Sequence, residues 1–169
     1  IGTGGDYTTI ASWFAACPAD LVSTTQTWRG LLKNQTFTLT SAVTFTGITT
    51  SSTYYIELAT DTGASFADNG SVQTNALRYN TSNGAAISCT SAYVIPLINT
   101  ASMHLRLTKL QIRTSSLAAR AINASNNTVI DRCIVEGIGG ASASCIALYG
   151  SGSRVSNSLV INRKSSSPG

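Results

Sequence analysis

Asp131 and Glu136 stand five residues apart, a carboxylate pair of the kind that hydrolysis of a glycosidic bond requires. In that reaction two carboxyl groups face each other across the scissile bond, one as acid and the other as base or nucleophile. Ordinary solvated carboxylates are the favoured reading of this pair, so no catalytic residue is assigned, and these two are the candidates that the competing, hydrolytic reading would use. The other acidic residues, Asp6, Asp20, Glu57, Asp61 and Asp68, form no further cluster on the repeats described below. His104, the single histidine, stands just ahead of a strand and reads as a surface or corner residue rather than a general base.

Cys17, Cys89, Cys133 and Cys145 make no CxxC and no Cys/His cluster, so no metal site is expected, and no motif implies a cofactor. The cysteines read as small buried hydrophobes. Cys133 with Cys145 is the pair to test for a bridge. An aromatic platform for sugar would have to come from Trp28, Tyr54, Tyr55, Tyr79, Tyr93 and Tyr149, with core or edge packing as the commoner use of such residues.

The net charge of +4 comes from eleven basic residues scattered between Arg29 and Lys164, whose only adjacent pair is Arg163-Lys164. A nucleic-acid reader gathers its basic residues on one face, so nucleic acid is not an expected partner. No apolar run approaches the ~20 residues of a membrane span, and no membrane insertion is expected. The chain opens at Ile1 with no visible signal peptide, consistent with a processed or trimmed start. Asn34, Asn69, Asn80, Asn123 and Asn126 begin N-x-Ser/Thr triplets, which a Ser/Thr-rich chain supplies by chance, and no glycosylation is assigned.

The elements that would hold these residues start with a turn-rich opening, Gly2 to Thr9, whose threonines can cap a helix. Ile10, Trp13, Phe14 and Cys17 then form one apolar helical stripe, which Pro18 ends. Beyond Asp20 the period becomes two: Phe37 and Leu39, Val43 and Phe45, and Tyr54, Ile56 and Leu58 alternate with polar residues, punctuated by Gly47, Gly63, Gly70 and Gly84.

In the second half, Leu107 to Ile112, Ile130 to Val135 and Val155 to Val160 align without gaps, their starts 23 and 25 residues apart. The first, fourth and sixth positions are apolar or small. Two short strands with a tight corner at Lys109, Arg132 and Asn157 explain the pattern, because inward side chains skip a beat where the chain bends. Ala119 to Ala124 and Cys145 to Gly150 supply a third strand, with Ile122, Ile146 and Leu148 inward. Asn123, Asn126, Asn127 and Asn157 are placed at turns, and a looser earlier coil takes in Ala86, Ile87, Val94, Ile95 and Ile98. Coils of this length cannot bury a face alone and must stack. The expected fold is all-β, one right-handed parallel β-helix: a cap over 1–20, irregular first coils over 21–84, regular coils over 85–164 and a tail over 165–169.

The stretch Asn126 to Val135 resembles a coil of the pectin lyase-like superfamily of right-handed parallel β-helices. The opening Gly2 to Ile10, running on to Ala16 and Pro18, is similar to the N-terminal cap of pectin methylesterases and of many phage β-helix proteins. The two stretches span 10 and 17 of the 169 residues. The resemblance implies a fold that hosts many functions. Its enzymes cluster acidic residues with Arg, Lys or His on one face, and Thr108 and Ser156 hold the positions equivalent to Asp131, so no acidic stack is formed. The expected role is a non-enzymatic virion or other extracellular structural protein: a phage head decoration, fibre or tailspike-like element. A polysaccharide-binding or polysaccharide-degrading β-helix with sites between subunits is the alternative, and an extracellular adhesin module a third option. The last coil needs cover, from another subunit or from a C-terminal portion outside this chain, because open strand edges invite pairing. A homo-oligomer or another assembly subunit is the expected partner, with a glycan as a further one.

Overall fold

Thr9 starts the one α-helix among the described residues, α1 (Ile10–Ala15). Its hydroxyl accepts from the Ser12 amide at 3.0 Å, while the Ser12 hydroxyl accepts from the Thr9 amide, a reciprocal capping box. Six residues of helix are too few to persist alone, and Ile10 and Trp13 hold it down by full burial. The computed structural model describes residues 1–68, 78–90, 97–100, 103–115, 120–139 and 145–164.

After the cap the chain winds through three strands per turn. The first turn is β1 (Trp28–Leu32), β2 (Thr36–Leu39) and β3 (Val43–Phe45); the second is β4 (Ile56–Thr60), β5 (Ala86–Cys89) and β6 (Leu97–Asn99). The third is β7 (Leu105–Thr108), β8 (Gln111–Thr114) and β9 (Ile122–Ala124). The fourth is β10 (Thr128–Asp131), β11 (Ile134–Gly139) and β12 (Ile146–Leu148), and β13 (Arg154–Ser156) and β14 (Leu159–Lys164) begin another. Every pairing is parallel, and equivalent strands stack into three sheets: β1-β4-β7-β10-β13, then β2-β5-β8-β11-β14, then β3-β6-β9-β12. This is a parallel β-solenoid of about four turns.

Leu107, Ile130 and Val155 stack in register on the first sheet, and Leu58 and Gly30 continue the column upward. On the second sheet Phe37, Ile87, Ile112, Val135 and Val160 form the matching column. The interior is largely apolar, and where Asn99 and Thr128 enter it the Asn99 amide donates to Thr128 Oγ1 at 2.9 Å and so meets its buried hydrogen-bonding need.

Lys109, Arg132 and Asn157 turn the corner between the first two sheets with φ of 58°, 52° and 49°. That left-handed backbone costs an L-residue roughly 1–2 kcal/mol, least for asparagine. Lys109→Asn is therefore expected to raise stability by about 0.5 kcal/mol, since the ion pair it gives up, Lys109 to Asp68 at 3.6 Å, is a third exposed on both sides. Thermal melts would check this, and a lowered midpoint would mean that the ion pair outweighs the backbone relief.

Between β4 and β5 the chain leaves the solenoid through a 3-10 turn, Phe66–Asp68, and covers part of the second sheet's outer face. There Tyr79, Ala86 and Ile134 form a second small core with Phe66 against it. Gln111 ties this excursion down, accepting from the Asn80 amide at 2.9 Å and donating to Asn83 O at 3.1 Å. Ala86 thus faces outward into this cover, whereas Ile87 faces the main core. Asn127 takes a turn with φ of 60°, but Asn123 lies within β9 rather than at a corner. Val94 and Ile95 of the looser coil, Asn69, Gly70, Ala119 and the tail over 165–169 lie outside the described residues.

Candidate functional site

The two carboxylates singled out by their spacing go to different sheets on either side of the Arg132 corner. Asp131 ends β10 on the first sheet, where its Oδ1 accepts from Ser156 Oγ and Asn157 Nδ2, both at 2.9 Å, and its Oδ2 pairs with Arg132 at 2.8 Å. The bonds from Asn157 and Arg132 hold its carboxyl below the usual range. A depressed value adds stability above the unfolded carboxylate range and loses it as the pH falls through the folded value. Such a group is a structural anion and a poor general acid.

Glu136 is not solvated, in contrast to the ordinary reading of its sequence position. Its side chain is 0% exposed on the outer face of β11, with Arg113 at 2.8 Å and Arg163 at 3.4 Å. The Arg113 guanidinium lies 4.1 Å from the centre of the Tyr79 ring, and burial pushes the Tyr79 phenol up from its ordinary range. The excursion thus roofs a buried ion cluster, which explains how a lone glutamate can be tolerated there. The cysteines are four free thiols. Burial pushes Cys133 up to about 12 and Cys17 up to about 11, and raises Cys145. These three are not poised to act as thiolates.

The aromatic candidates do not converge. Trp28 is half-buried on β1 and donates through Nε1 to Trp13 O at 3.3 Å, pinning the cap. Tyr54, ahead of β4, packs against the main core, and Tyr55 lies under the Arg106 guanidinium at 3.6 Å. Tyr79 is buried where the excursion packs on Ala86 and Ile134, whereas Tyr149, exposed beyond β12, bonds to Arg120. Tyr93 lies outside the described residues.

What the structure does bring together is the outer face of the first sheet. A cleft of about 530 Å³ beside the cap is lined by Asp6, Tyr7, Trp28, Arg29, Lys33 and Asp61. A second of about 530 Å³ near the corners is lined by Glu57, Asp68, Thr108, Lys109 and Arg132. Charges there are largely paired: Arg29 meets Glu57 at 2.8 Å, and Thr108 donates to the same carboxylate at 3.1 Å. Among the described residues, no group of three or more His, Cys, Asp or Glu side chains is arranged to hold a metal ion.

The second feature is the C-terminal end of the stack. Val155 is 39% exposed beneath Ile130 at 0%, Val160 46% beneath Val135 at 0%, and Leu148 36% beneath Ala124 at 1%. These are inward-facing positions of all three sheets. The cap end differs: a side chain at Gly30 would lie 2.5 Å from Trp13 Cε2 and 2.8 Å from Ile1 Cδ1, so the first turn is already filled.

The Glu136 cluster escaped the sequence reading although a signal was present. Arg113 and Glu136 are separated by the same 23 residues as Leu107 and Ile130, and they lie opposite each other in register. Described helices include none long and apolar enough to cross a membrane. Comparison with protein-family models, with curated proteins and with solved structures gave no match to this chain.

Proposed function

We propose that this chain is a non-enzymatic structural or attachment element of an extracellular assembly, in character a phage head-decoration, fibre or tailspike-like β-helix, which associates through its C-terminal turn. The observation that carries this reading is the exposure of Leu148, Val155 and Val160, core positions with no further turn beneath them among the described residues. Asp131, bonded to Ser156, Asn157 and Arg132, and Glu136, buried on another sheet against Arg113 and Arg163, favour a reading without a hydrolytic carboxylate pair. The virion character rests on the likeness of the cap and coil motifs to the pectin lyase-like superfamily.

The occupant we propose for this turn is a second copy of the chain, with a further C-terminal portion of the protein as the alternative cover that a monomer in sedimentation would favour. Trp13 closes the opposite end, so head-to-tail stacking is blocked and a bare turn meets another bare turn. About a two-fold axis, β14 runs antiparallel to its mate. Setting Ile161 on Ile161 of the second copy places Val160 against Asn162 on the inner side and Leu159 against Arg163 on the outer side. The two Arg163 cations are then not opposed.

Sedimentation over a range of concentrations is expected to show a dimer, which Val155→Glu with Val160→Glu converts to a folded monomer. An unmodified chain that stays monomeric, or a dimer indifferent to both changes, overturns the docking surface.

The clefts on the first sheet favour a second reading, a glycan-binding or glycan-cleaving face. Incubation with capsular, pectic and alginate polysaccharides tests it through new reducing ends or unsaturated products. Activity lost on Asp131→Asn would displace the non-enzymatic reading.

A further inference from the structure

A third cleft on the first sheet, about 250 Å³, opens at the N-terminal ends of its strands and is lined by Ser52, His104, Arg106, Asn127 and Arg154, with no carboxylate. We infer that it is a binding site for a single oxyanion group, sulfate, phosphate or carboxylate, held between the Arg106 and Arg154 guanidinium groups.

The register builds this site. Arg106, Val129 and Arg154 occupy successive rungs of β7, β10 and β13 with their side chains on the outer face. The two arginines are thus two strands apart, about 9–10 Å between Cα atoms. Val129 lies between them as the floor. A tetrahedral or planar anion seated over it is within reach of both side chains, the fork geometry that arginine offers to oxyanions.

Neither arginine is neutralised in place. Glu57 is the in-register neighbour of Arg106, but its carboxylate is taken by Arg29 and Thr108. Arg106 turns the other way, lying over the Tyr55 ring at 3.6 Å with one bond to Ser52 O at 3.4 Å, which leaves donors for a ligand. Arg154 is exposed and makes no ion pair among the described residues. On the cleft wall the buried His104 Nδ1 has no hydrogen-bond partner among the described residues. Gly152 keeps the mouth narrow: with φ of 77°, any Cβ there would fall 2.5 Å from Asn127 Oδ1.

The test is an amide-resolved NMR titration of the whole chain with sodium sulfate, sodium phosphate and sodium glucuronate, each against sodium chloride at matched ionic strength. Saturable shifts are expected around residues 104–106, 127–129 and 152–154. Arg154→Ala, which removes no ion pair among the described residues, is expected to weaken binding about tenfold or more, while Arg120→Ala, ahead of β9 and away from the cleft, leaves it unchanged. Preference for glucuronate over both inorganic anions would identify an acidic sugar as the source of the group; the reverse would identify a free anion. Shifts no larger than those given by chloride, or identical titrations for the unmodified protein and Arg154→Ala, overturn the site. Because Arg154 neighbours Val155 on β13, Arg154→Ala is also run in sedimentation, so that loss of the anion with the dimer intact is told from loss of the dimer.

Discussion

Arg113→Met is expected to destabilise the protein by about 3–5 kcal/mol, and more than Glu136→Gln does. The asymmetry follows from burial. Glu136 is 0% exposed, whereas Arg113 and Arg163 are 31% and 52% exposed. Removing Arg113 strands a buried carboxylate with one partner at 3.4 Å. Removing the carboxylate instead frees two guanidinium groups that can rehydrate, a loss of about 1–2 kcal/mol. Arg113→Met also strips the cation from the Tyr79 ring, so part of the loss should appear as loosening of the excursion. Urea denaturation of the two single variants and of Arg113→Met with Glu136→Leu checks this. The double variant should recover much of the single loss, since an apolar pair needs no compensation. If Glu136→Gln proved as costly as Arg113→Met, the cluster would not be governed by the stranded charge.

Trp13→Ala is expected to cost about 3–5 kcal/mol, because Trp13 is 2% exposed and stands over the end of the first-sheet column. It also meets Phe45 edge-on at 6.4 Å, and Phe45 is in turn packed by Phe14 at 4.8 Å, so the loss opens the top of two columns. The glycine beneath it gives a sharper test. Gly30→Ala places a methyl group where Trp13 already sits and should cost roughly 1–3 kcal/mol. In the Trp13→Ala background the same change fills vacated space, and its effect should shrink or reverse sign. A double-mutant cycle by thermal or chemical denaturation measures that coupling. Strict additivity would mean that the two residues do not share the same space.

The stacking of Leu107, Ile130 and Val155 was legible because the corner residues repeat with them: Lys109, Arg132 and Asn157 each lie two positions on. The upper turns obey the same register but hide it. Leu58 and Leu107 are direct neighbours although 49 positions apart, because the excursion and the longer return path fall between them. Gly30 heads the column with no side chain to signal it, since the space belongs to Trp13 from another element. The candidate carboxylates illustrate the limit for sites. Five residues of sequence suggested one pair, yet the corner at Arg132 sends Asp131 and Glu136 onto different sheets. Each finds its partners one coil away: Ser156 and Asn157 for Asp131, Arg113 and Arg163 for Glu136. Reading the outward columns at coil spacing, as well as the inward ones, would have exposed both.

The excursion between β4 and β5 bears on how such a chain can change. It adds its own small core at a corner while β4 and β5 keep perfect step with the rungs above and below. Length gained at a corner is therefore mechanically silent in the shaft. New surface can be hung from the rod by insertion, one bend at a time, without renegotiating the packing that makes it a rod.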